Sequence, residues 1–133
     1  MVAGFTAYAP IGNMKYNSDD IVIFNSTVSN IGGYYQTNSS QFICPVDGMY
    51  AFTLNAMTGY SDEFYGAIMK ESDRFVSILG LNPTGSHDGV SNSVIIACSK
   101  GERVWIRCLT DGDAVYNDSR RFTTFSGVLR QQF

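Results

Sequence analysis

The stretch GYYQTNSSQFICPVDGMYAF, residues 33–52, decides the fold. From Gly48 onward, large and small residues alternate, which places Tyr50 and Phe52 on the same side of an extended strand. We expect Gly48 to permit a tight turn between the strand carrying Phe42 and the strand carrying Tyr50. Each ring buried in this way removes about 150–250 Å² from water. The stretch therefore predicts adjoining strands whose rings share one core.

The same period of two recurs along the chain. The segments that show it are 5–9, 21–24, 41–46, 48–57, 64–70, 74–81, 93–99, 103–109 and 122–129. Clusters of Gly, Asn, Asp and Ser separate them, including the cluster NPTGSHDG at 82–89, and such clusters are typical of turns. No window combines helical periodicity with helix caps. The pattern predicts an all-β sandwich or barrel that forms a single domain over residues 1–133.

Composition narrows the choice of partner. Charged residues make up 16% of the chain, against about 25% in an average soluble domain, and apolar residues make up 44%. The net charge is -3 and no basic block occurs, which argues against a nucleic-acid partner. No apolar run approaches the ~18 residues of a membrane span. We therefore expect neither nucleic-acid binding nor membrane insertion.

The few charges are unevenly distributed. Residues 2–14, 48–61, 89–99 and 122–129 contain no charged side chain. An isolated sandwich strand should show an apolar inward side and a polar outward side, but 48–57 is uncharged on both. Another subunit would cover the second side economically. The alternatives are that loops cover it or that its small residues tolerate exposure.

Two features bear weakly on secretion. Asn-x-Ser/Thr sequons occur at Asn25, Asn38 and Asn117, in a chain where Asn and Ser are common enough to give chance matches. The N-terminal segment lacks the charged start and long apolar run of a signal peptide.

The three cysteines leave at least one thiol without an intramolecular partner.

The aromatic spacing carries a family resemblance. Phe24, Asn30, Tyr35, Phe42, Gly48, Tyr50 and Phe52 follow one another as in the signature of the globular C1q domain, with Leu54 in place of its closing aromatic. The segments CPVDGMYAF (44–52), GERVWI (101–106) and TTFSGVL (123–129) also resemble segments of that family. The chain is identified as a member on these motifs. Its core motif is then Phe24, Tyr35, Phe42, Gly48, Tyr50, Phe52, Phe125 and Gly127.

The resemblance implies a ten-stranded jelly roll of the tumour necrosis factor type and a tight homotrimer. The inner sheet would contain the strands near 5–10, 48–57, 93–99 and 122–129, packed around a three-fold axis. The side chains expected at the trimer interface are Met49, Ala51, Thr53, Met57, Ser126 and Val128. The cysteines do not fall where the family forms a disulfide, and Cys44 matches a position that is usually unpaired. We therefore expect free thiols at Cys44, Cys98 and Cys108.

The sequence contains few residues in patterns typical of catalytic or metal-binding sites. His87 and Asp88 are adjacent, but no positioned nucleophile accompanies them, so we expect no enzyme, and His87 is interpreted as a solvated loop histidine. No cofactor is required. Several C1q-domain proteins bind calcium near the trimer apex, and Asp88, or Asp111 and Asp113, would be the oxygen ligands in this chain. The alternative is that all three are solvated turn residues.

A sugar site needs an aromatic platform beside groups that pair with hydroxyls. Tyr60 with Asp62, and Tyr116 with Asn117, supply those residue types in predicted loops. Arg120 and Arg121 would pair with the carboxylate or phosphate groups of anionic glycans or lipopolysaccharide. Tyrosine and arginine are also common on surfaces that bind nothing.

The resemblance yields two functional hypotheses. A member of the family without a collagen-like stalk resembles the secreted pattern-recognition lectins of innate immunity, which bind glycans or microbial surface molecules as multivalent trimers. The alternative is a secreted signalling ligand that engages a protein receptor.

Overall fold

The computed structural model describes residues 1–81 and 84–133, so Asn82 and Pro83 of the predicted turn at 82–89 lie outside the described residues. Over those ranges the chain forms strands and no helix. The strands are β1 (Gly4–Tyr8), β2 (Gly12–Tyr16), β3 (Ser26–Ile31), β4 (Tyr35–Gln36), β5 (Gln41–Ile43), β6 (Gly48–Thr58), β7 (Phe64–Lys70), β8 (Asp73–Gly80), β9 (Gly89–Cys98), β10 (Arg103–Cys108), β11 (Asp113–Asn117) and β12 (Thr124–Gln132).

The strands form two sheets. A seven-stranded sheet has the order β2-β11-β6-β12-β1-β3, with β9 also paired to β6, and a five-stranded sheet has the order β4-β5-β10-β7-β8. The predicted jelly roll is confirmed. The four uncharged segments contain β1, β6, β9 and the first six residues of β12, and these strands all belong to the seven-stranded sheet. The short strands raise the count above the expected ten.

Some strands were absent from the prediction and one predicted strand is not formed. β2 (GNMKY), β3 (STVSNI) and β11 (DAVYN) are short and rich in polar residues, so their period of two carries little apolar signal. The predicted strand 21–24 makes only an isolated bridge, from Ile21 to Arg107.

Aromatic rings fill the space between the sheets. The motif rings of Phe24, Tyr35, Phe42, Tyr50, Phe52 and Phe125 are all buried. Phe5, which the motif does not include, lies at the centre of the cluster, with its ring centroid 4.5 Å from that of Tyr35 and 5.0 Å from that of Phe125. The Tyr50 hydroxyl donates to the Val46 carbonyl at 2.6 Å, and burial raises the pKa of Tyr50 to about 12.

Asn30 is the polar residue among the aromatic residues of the C1q signature, and its hydrogen bonds show why it is polar. Its Nδ2 donates to the Tyr35 carbonyl at 2.9 Å, and its Oδ1 accepts from the Tyr35 amide at 3.1 Å. The Tyr35 hydroxyl in turn donates to the Phe24 carbonyl at 2.7 Å. The amide of Asn30 therefore orients a ring that closes the core.

Two glycines are required by close packing. We expected Gly48 to be required for a tight turn, but its φ is not in the left-handed region that favours glycine. Glycine is required there because an added Cβ would lie 2.6 Å from the carbonyl oxygen of Gln131. A Cβ at Gly127 would lie 2.6 Å from Phe5 Cε1 and 2.7 Å from Phe52 Cδ1. Both glycines let β12 approach its neighbours closely.

The sandwich has two distinguishable ends. At the proximal end β6 begins and β12 finishes, because Gly48 pairs with Gln132, and Ala3 accepts a hydrogen bond from the Leu129 amide. At the distal end β6 finishes and β9 begins, with Met57 opposite Gly89. Both ends of the described chain thus lie at the proximal end.

Most of one outward side of the seven-stranded sheet carries no charge, and the exceptions are Lys15 on β2 and Arg130 on β12. We call the outward side chains of β1, β6, β9 and β12 the uncharged face: Gly4, Thr6, Tyr8, Met49, Ala51, Thr53, Asn55, Met57, Ser91, Ser93, Ile95, Ala97, Thr124, Ser126 and Val128. All six expected interface residues belong to it. Ile95 is 63% exposed, Val128 41% and Met49 37%, so the described loops leave this face open. An open groove of about 490 Å³ runs along it beside Ala51 and Val128, and Arg130 also lines this groove.

The three cysteines are free and buried, as expected. The neighbouring thiol of Cys98 and burial raise the pKa of Cys44. Burial raises the pKa of Cys108 to about 11. The low thiolate fraction and the burial together make Cys108 unreactive in the folded chain.

Candidate functional site

Three rings from separate segments meet at the distal end. Tyr60 lies in the loop after β6, His87 precedes β9, and Tyr116 belongs to β11. The His87 ring centroid is 5.5 Å from that of Tyr60 and 4.4 Å from that of Tyr116. Tyr60 is 56% exposed. We call these three residues the distal ring cluster.

Backbone contacts fix His87 in this cluster. Its Nδ1 lies 2.7 Å from the Thr58 carbonyl oxygen, an acceptor only, so Nδ1 must carry the proton and donate it. The Asp88 amide donates to the Thr58 hydroxyl at 2.8 Å. In the neutral ring Nε2 is then an acceptor. His87 is thus partly buried between two tyrosines, and the interpretation as a solvated loop histidine is wrong.

Arg120 is held by a neighbouring carboxylate. Its Nη2 lies 2.7 Å from Asp118 Oδ2, and its amide and Nε also donate to Asp118. These bonds from Arg120 lower the pKa of Asp118. The Asp118 carboxylate accepts a hydrogen bond from the Tyr116 hydroxyl at 3.0 Å, which raises the pKa of Tyr116. The guanidinium also stacks 4.8 Å from the ring centroid of Phe122. The charge of Arg120 is therefore already neutralised.

Arg121 differs from its neighbour. Its guanidinium lies 4.5 Å from the ring centroid of Tyr8, at the distal edge of the uncharged face. Among residues 1–81 and 84–133 no carboxylate forms an ion pair with it. Its φ of 60° places it in the left-handed region, which a long side chain adopts only at some cost. Arg121 is thus an exposed cation at this end that has no ion-pair partner among the described residues.

Asn117 is not available to a ligand. It is 1% exposed, its Nδ2 donates to the Ala9 carbonyl at 2.7 Å, and its Oδ1 accepts from the Thr123 amide at 3.2 Å. Its amide holds β1 and β12 beside β11. The predicted role in ligand contact is therefore unsupported by its position. The same burial makes the Asn117 sequon inaccessible to glycosylation in the folded chain, whereas Asn25 and Asn38 are exposed.

The predicted carboxylates fall in two places. Asp62, Asp111 and Asp113 line one open cavity of about 510 Å³, and Asp88 is not among its lining residues. Asp113 is buried and accepts from the Tyr65 amide at 2.8 Å and from the Thr110 hydroxyl, while Asp111 accepts from the Ser18 amide at 2.8 Å. Within the described ranges no group of three His, Cys, Asp or Glu side chains is arranged to hold a metal ion. These carboxylates hold loops together.

The sequence did not reveal His87, Tyr8 or Phe122 as parts of this end. Phe122 is a near neighbour of Arg120 in the sequence, whereas Tyr8 and His87 meet predicted residues only through the folding of distant segments. No local pattern marks such contacts, although the absence of any other histidine made His87 conspicuous.

Comparison with known sequences identifies the family. The C1q domain family profile matches residues 4–129. Complement C1q tumor necrosis factor-related protein 3 of Mus musculus is 32% identical over 114 residues, which are 85% of this chain and 46% of that protein, and the Homo sapiens protein gives the same values. Caprin-2 of Danio rerio is 30% identical over 115 residues, 86% of this chain and 12% of that protein. The chain therefore spans less than half the length of these curated relatives.

Solved structures agree on the fold. The globular domain of zebrafish complement 1qA has a TM-score of 0.81 at 19% identity, covering 98% of this chain and 99% of that one. Eiger TNF from S. frugiperda has a TM-score of 0.81 at 7% identity, covering 99% and 94%. Among the described residues no helix is long and apolar enough to span a bilayer. The family is one of non-enzymatic proteins. From its length-wide match and its relatives, the chain belongs to the C1q domain family.

Proposed function

We propose that the chain is a secreted, homotrimeric recognition protein of innate immunity that binds glycans or microbial surface molecules at its distal end. The observation that carries this proposal is the position of the distal ring cluster. Aromatic rings and an exposed arginine lie together at the end opposite the chain termini, beside a sheet face suited to self-association.

The uncharged face supports the trimer. Monomeric proteins rarely expose a contiguous apolar patch of this kind without a partner. Ala51 pairs with both Val128 and Ile95, so three strands present small and apolar side chains side by side. Thr53 and Ser93 satisfy each other at 2.9 Å between hydroxyl oxygens, and Thr6 and Ser126 do so at 3.0 Å. The face can therefore be buried without leaving these hydroxyls unpaired.

The distal ring cluster supports a sugar ligand. Tyr60 and Tyr116 provide ring surface, and the acceptor Nε2 of His87 lies between them. Arg121 provides a cation for the carboxylate or phosphate group of an acidic glycan. In a trimer each copy would present one such cluster at the same end, and three weak sites on one rigid body gain avidity toward a repetitive surface.

A glycan array probed with the purified protein, with and without EDTA, tests the proposal. We expect binding to a defined set of glycans that Tyr60→Ala and Arg121→Gln each weaken about tenfold, and that the exposed proximal variant Lys100→Gln retains. Loss of the signal in EDTA would add calcium to the site. An array without signal, together with capture of a cell-surface receptor ectodomain, would overturn the lectin and favour the signalling ligand.

A further inference from the structure

A second groove lies on the opposite side of the molecule. It opens on the outward side of the five-stranded sheet, far from the distal ring cluster, with a volume of about 520 Å³. The residues that matter to its chemistry are Asp19, Ile21, Met69, Glu71, Trp105 and Arg107. We call it the Trp105 groove. None of its residues belongs to the uncharged face.

Strand register builds the groove. Trp105 on β10 lies opposite Met69 on β7, and the segment before β3 bridges the other edge of β10 through Ile21 and Arg107. Since alternate residues share a side, Trp105 and Arg107 point outward while Val104 and Ile106 are buried in the core. Met69 is also buried and lines the groove beside Trp105.

Trp105 is the only tryptophan of the chain and is partly exposed. No residue in 1–81 or 84–133 accepts a hydrogen bond from its indole Nε1–H. That atom is also not sealed from solvent. The groove thus combines an apolar ring surface with a donor that has no protein partner.

Polar groups stand at the two ends. At one end Arg107 is ion-paired with Asp19, whose side chain is 70% exposed. At the other end Glu71 forms the turn between β7 and β8, and one of its carboxylate oxygens accepts from the Arg103 amide at 2.8 Å. The four-residue span from Arg103 to Arg107 corresponds to about 13 Å of strand. Two carboxylates and one guanidinium give a mixed charge that does not favour a polyanion.

From this arrangement we propose that the Trp105 groove is a binding site for a neutral pyranose ring, with the apolar face of the sugar on the indole and its hydroxyls paired to Glu71, Asp19 and Arg107. Ligand sites of this kind combine apolar and aromatic surface with a few polar groups that fix orientation. Carboxylate and guanidinium groups form the stronger hydrogen bonds to hydroxyls. This site and the distal one are independent, and either can exist without the other.

The lone tryptophan makes the test direct. The unmodified protein is titrated with the methyl glycosides of glucose, galactose, mannose and N-acetylglucosamine while the indole emission is recorded. We expect a saturable change in emission with at least one of them, together with protection of the indole from quenching by acrylamide. No saturable change with any of the four glycosides would overturn the proposal.

A matched pair of variants locates the signal. Glu71→Gln keeps a carbonyl oxygen for the Arg103 amide, so the fold is retained, and we expect it to weaken the fluorescence-detected affinity about tenfold. Tyr60→Ala, in the distal ring cluster, should leave that affinity unchanged. The reverse pattern would place the sugar at the distal end and refute a site at Trp105. If Tyr60→Ala loses glycan-array binding but keeps its fluorescence-detected affinity, that loss bears on the proposed function of the distal end and not on the Trp105 groove.

Discussion

The two outward sides of the sandwich differ in a way that follows from their sequences. The uncharged face of the seven-stranded sheet presents Ile95, Val128 and small hydroxyl residues, and the ionisable groups beside it are Tyr8 at its distal edge and Arg130 in its groove. The outward side of the five-stranded sheet carries Arg103 and Arg107 on the strand that also carries Trp105. Its arginines are tied to neighbours: Arg103 donates to Gln41 at 2.9 Å, and Arg107 pairs with Asp19.

The difference separates two tasks. Burying a surface in a protein interface is favourable when it is apolar and free of unpaired charge. A surface that remains in solvent keeps its charges and can offer both ring surface and hydrogen-bonding groups to a small ligand. A single chain can therefore assemble through one sheet and bind ligands elsewhere without compromise between the two.

The largest effect should come from placing a charge on the uncharged face. Ala51→Glu would bury one carboxylate per copy at the proposed interface, and an unpaired buried charge costs about 3 kcal/mol or more. We expect the trimer to dissociate at micromolar concentration in sedimentation velocity. Leu79→Glu, on the exposed outward side of the other sheet, is the matched control and should remain trimeric. A wild-type monomer, or a trimer that tolerates Ala51→Glu, would contradict the contrast between the sides.

A smaller effect should come from disturbing the core that keeps the two sides back to back. Gly127→Ala would force a Cβ to 2.6 Å from Phe5 and 2.7 Å from Phe52. We expect a loss of about 2–3 kcal/mol in the free energy of unfolding, measured by urea denaturation, because packed rings must shift. Gly89→Ala enters open space and should be nearly neutral. Equal stability of the two variants would show that the rings of Phe5 and Phe52 can repack around the added methyl group at little cost.

Removing a buried amide should cost somewhat less. Asn117→Ala leaves the Ala9 carbonyl and the Thr123 amide without their partner, which we expect to lower the free energy of unfolding by about 2 kcal/mol. Thermal and urea denaturation measure this. Tyr60→Ala, an exposed change at the same end, should have little effect on stability. If Asn117→Ala kept full stability while abolishing glycan binding, Asn117 would belong to the site after all.

The smallest effect should be that of Asp118→Asn. The pKa of Asp118 lies below its ordinary value of 3.8 because Arg120 donates hydrogen bonds to it, so the contribution of the carboxylate is fully present above that value and is lost as pH falls through the lower folded pKa. The variant should lower the Tm slightly at neutral pH, with the difference shrinking in strong acid. Because the pair is exposed, added salt should weaken the effect. A difference that grows on acidification would be inconsistent with this pairing.

Sequence patterns were most informative where burial imposes a strict period. The period of two predicted an all-β sandwich or barrel, because rings such as Phe42 and Tyr50 must occupy fixed positions between the layers. The resemblance to the C1q domain supplied the jelly roll and the expected inner sheet. The rule failed for β2, β3 and β11, where polar residues carry the backbone pairing and leave no apolar pattern.

The candidate site was less predictable. Tyr60 and Tyr116 were identified by residue type alone, and the same reasoning selected Asn117, which is buried. Whether a loop side chain meets solvent or the backbone of a distant strand depends on contacts such as that of Asn117 with Ala9, more than one hundred positions away. Trp105, which we propose as a ligand residue, was not predicted from the sequence because a tryptophan inside a strand usually indicates core.

Both chain termini lie at the proximal end, where Phe133 donates its amide to the Asp47 carbonyl at 3.0 Å. A fluorescent tag, an affinity handle or a surface anchor fused to either terminus would therefore project away from Tyr60 and Arg121. An immobilised layer built through such a fusion would orient the distal loops outward, toward whatever is flowed across it.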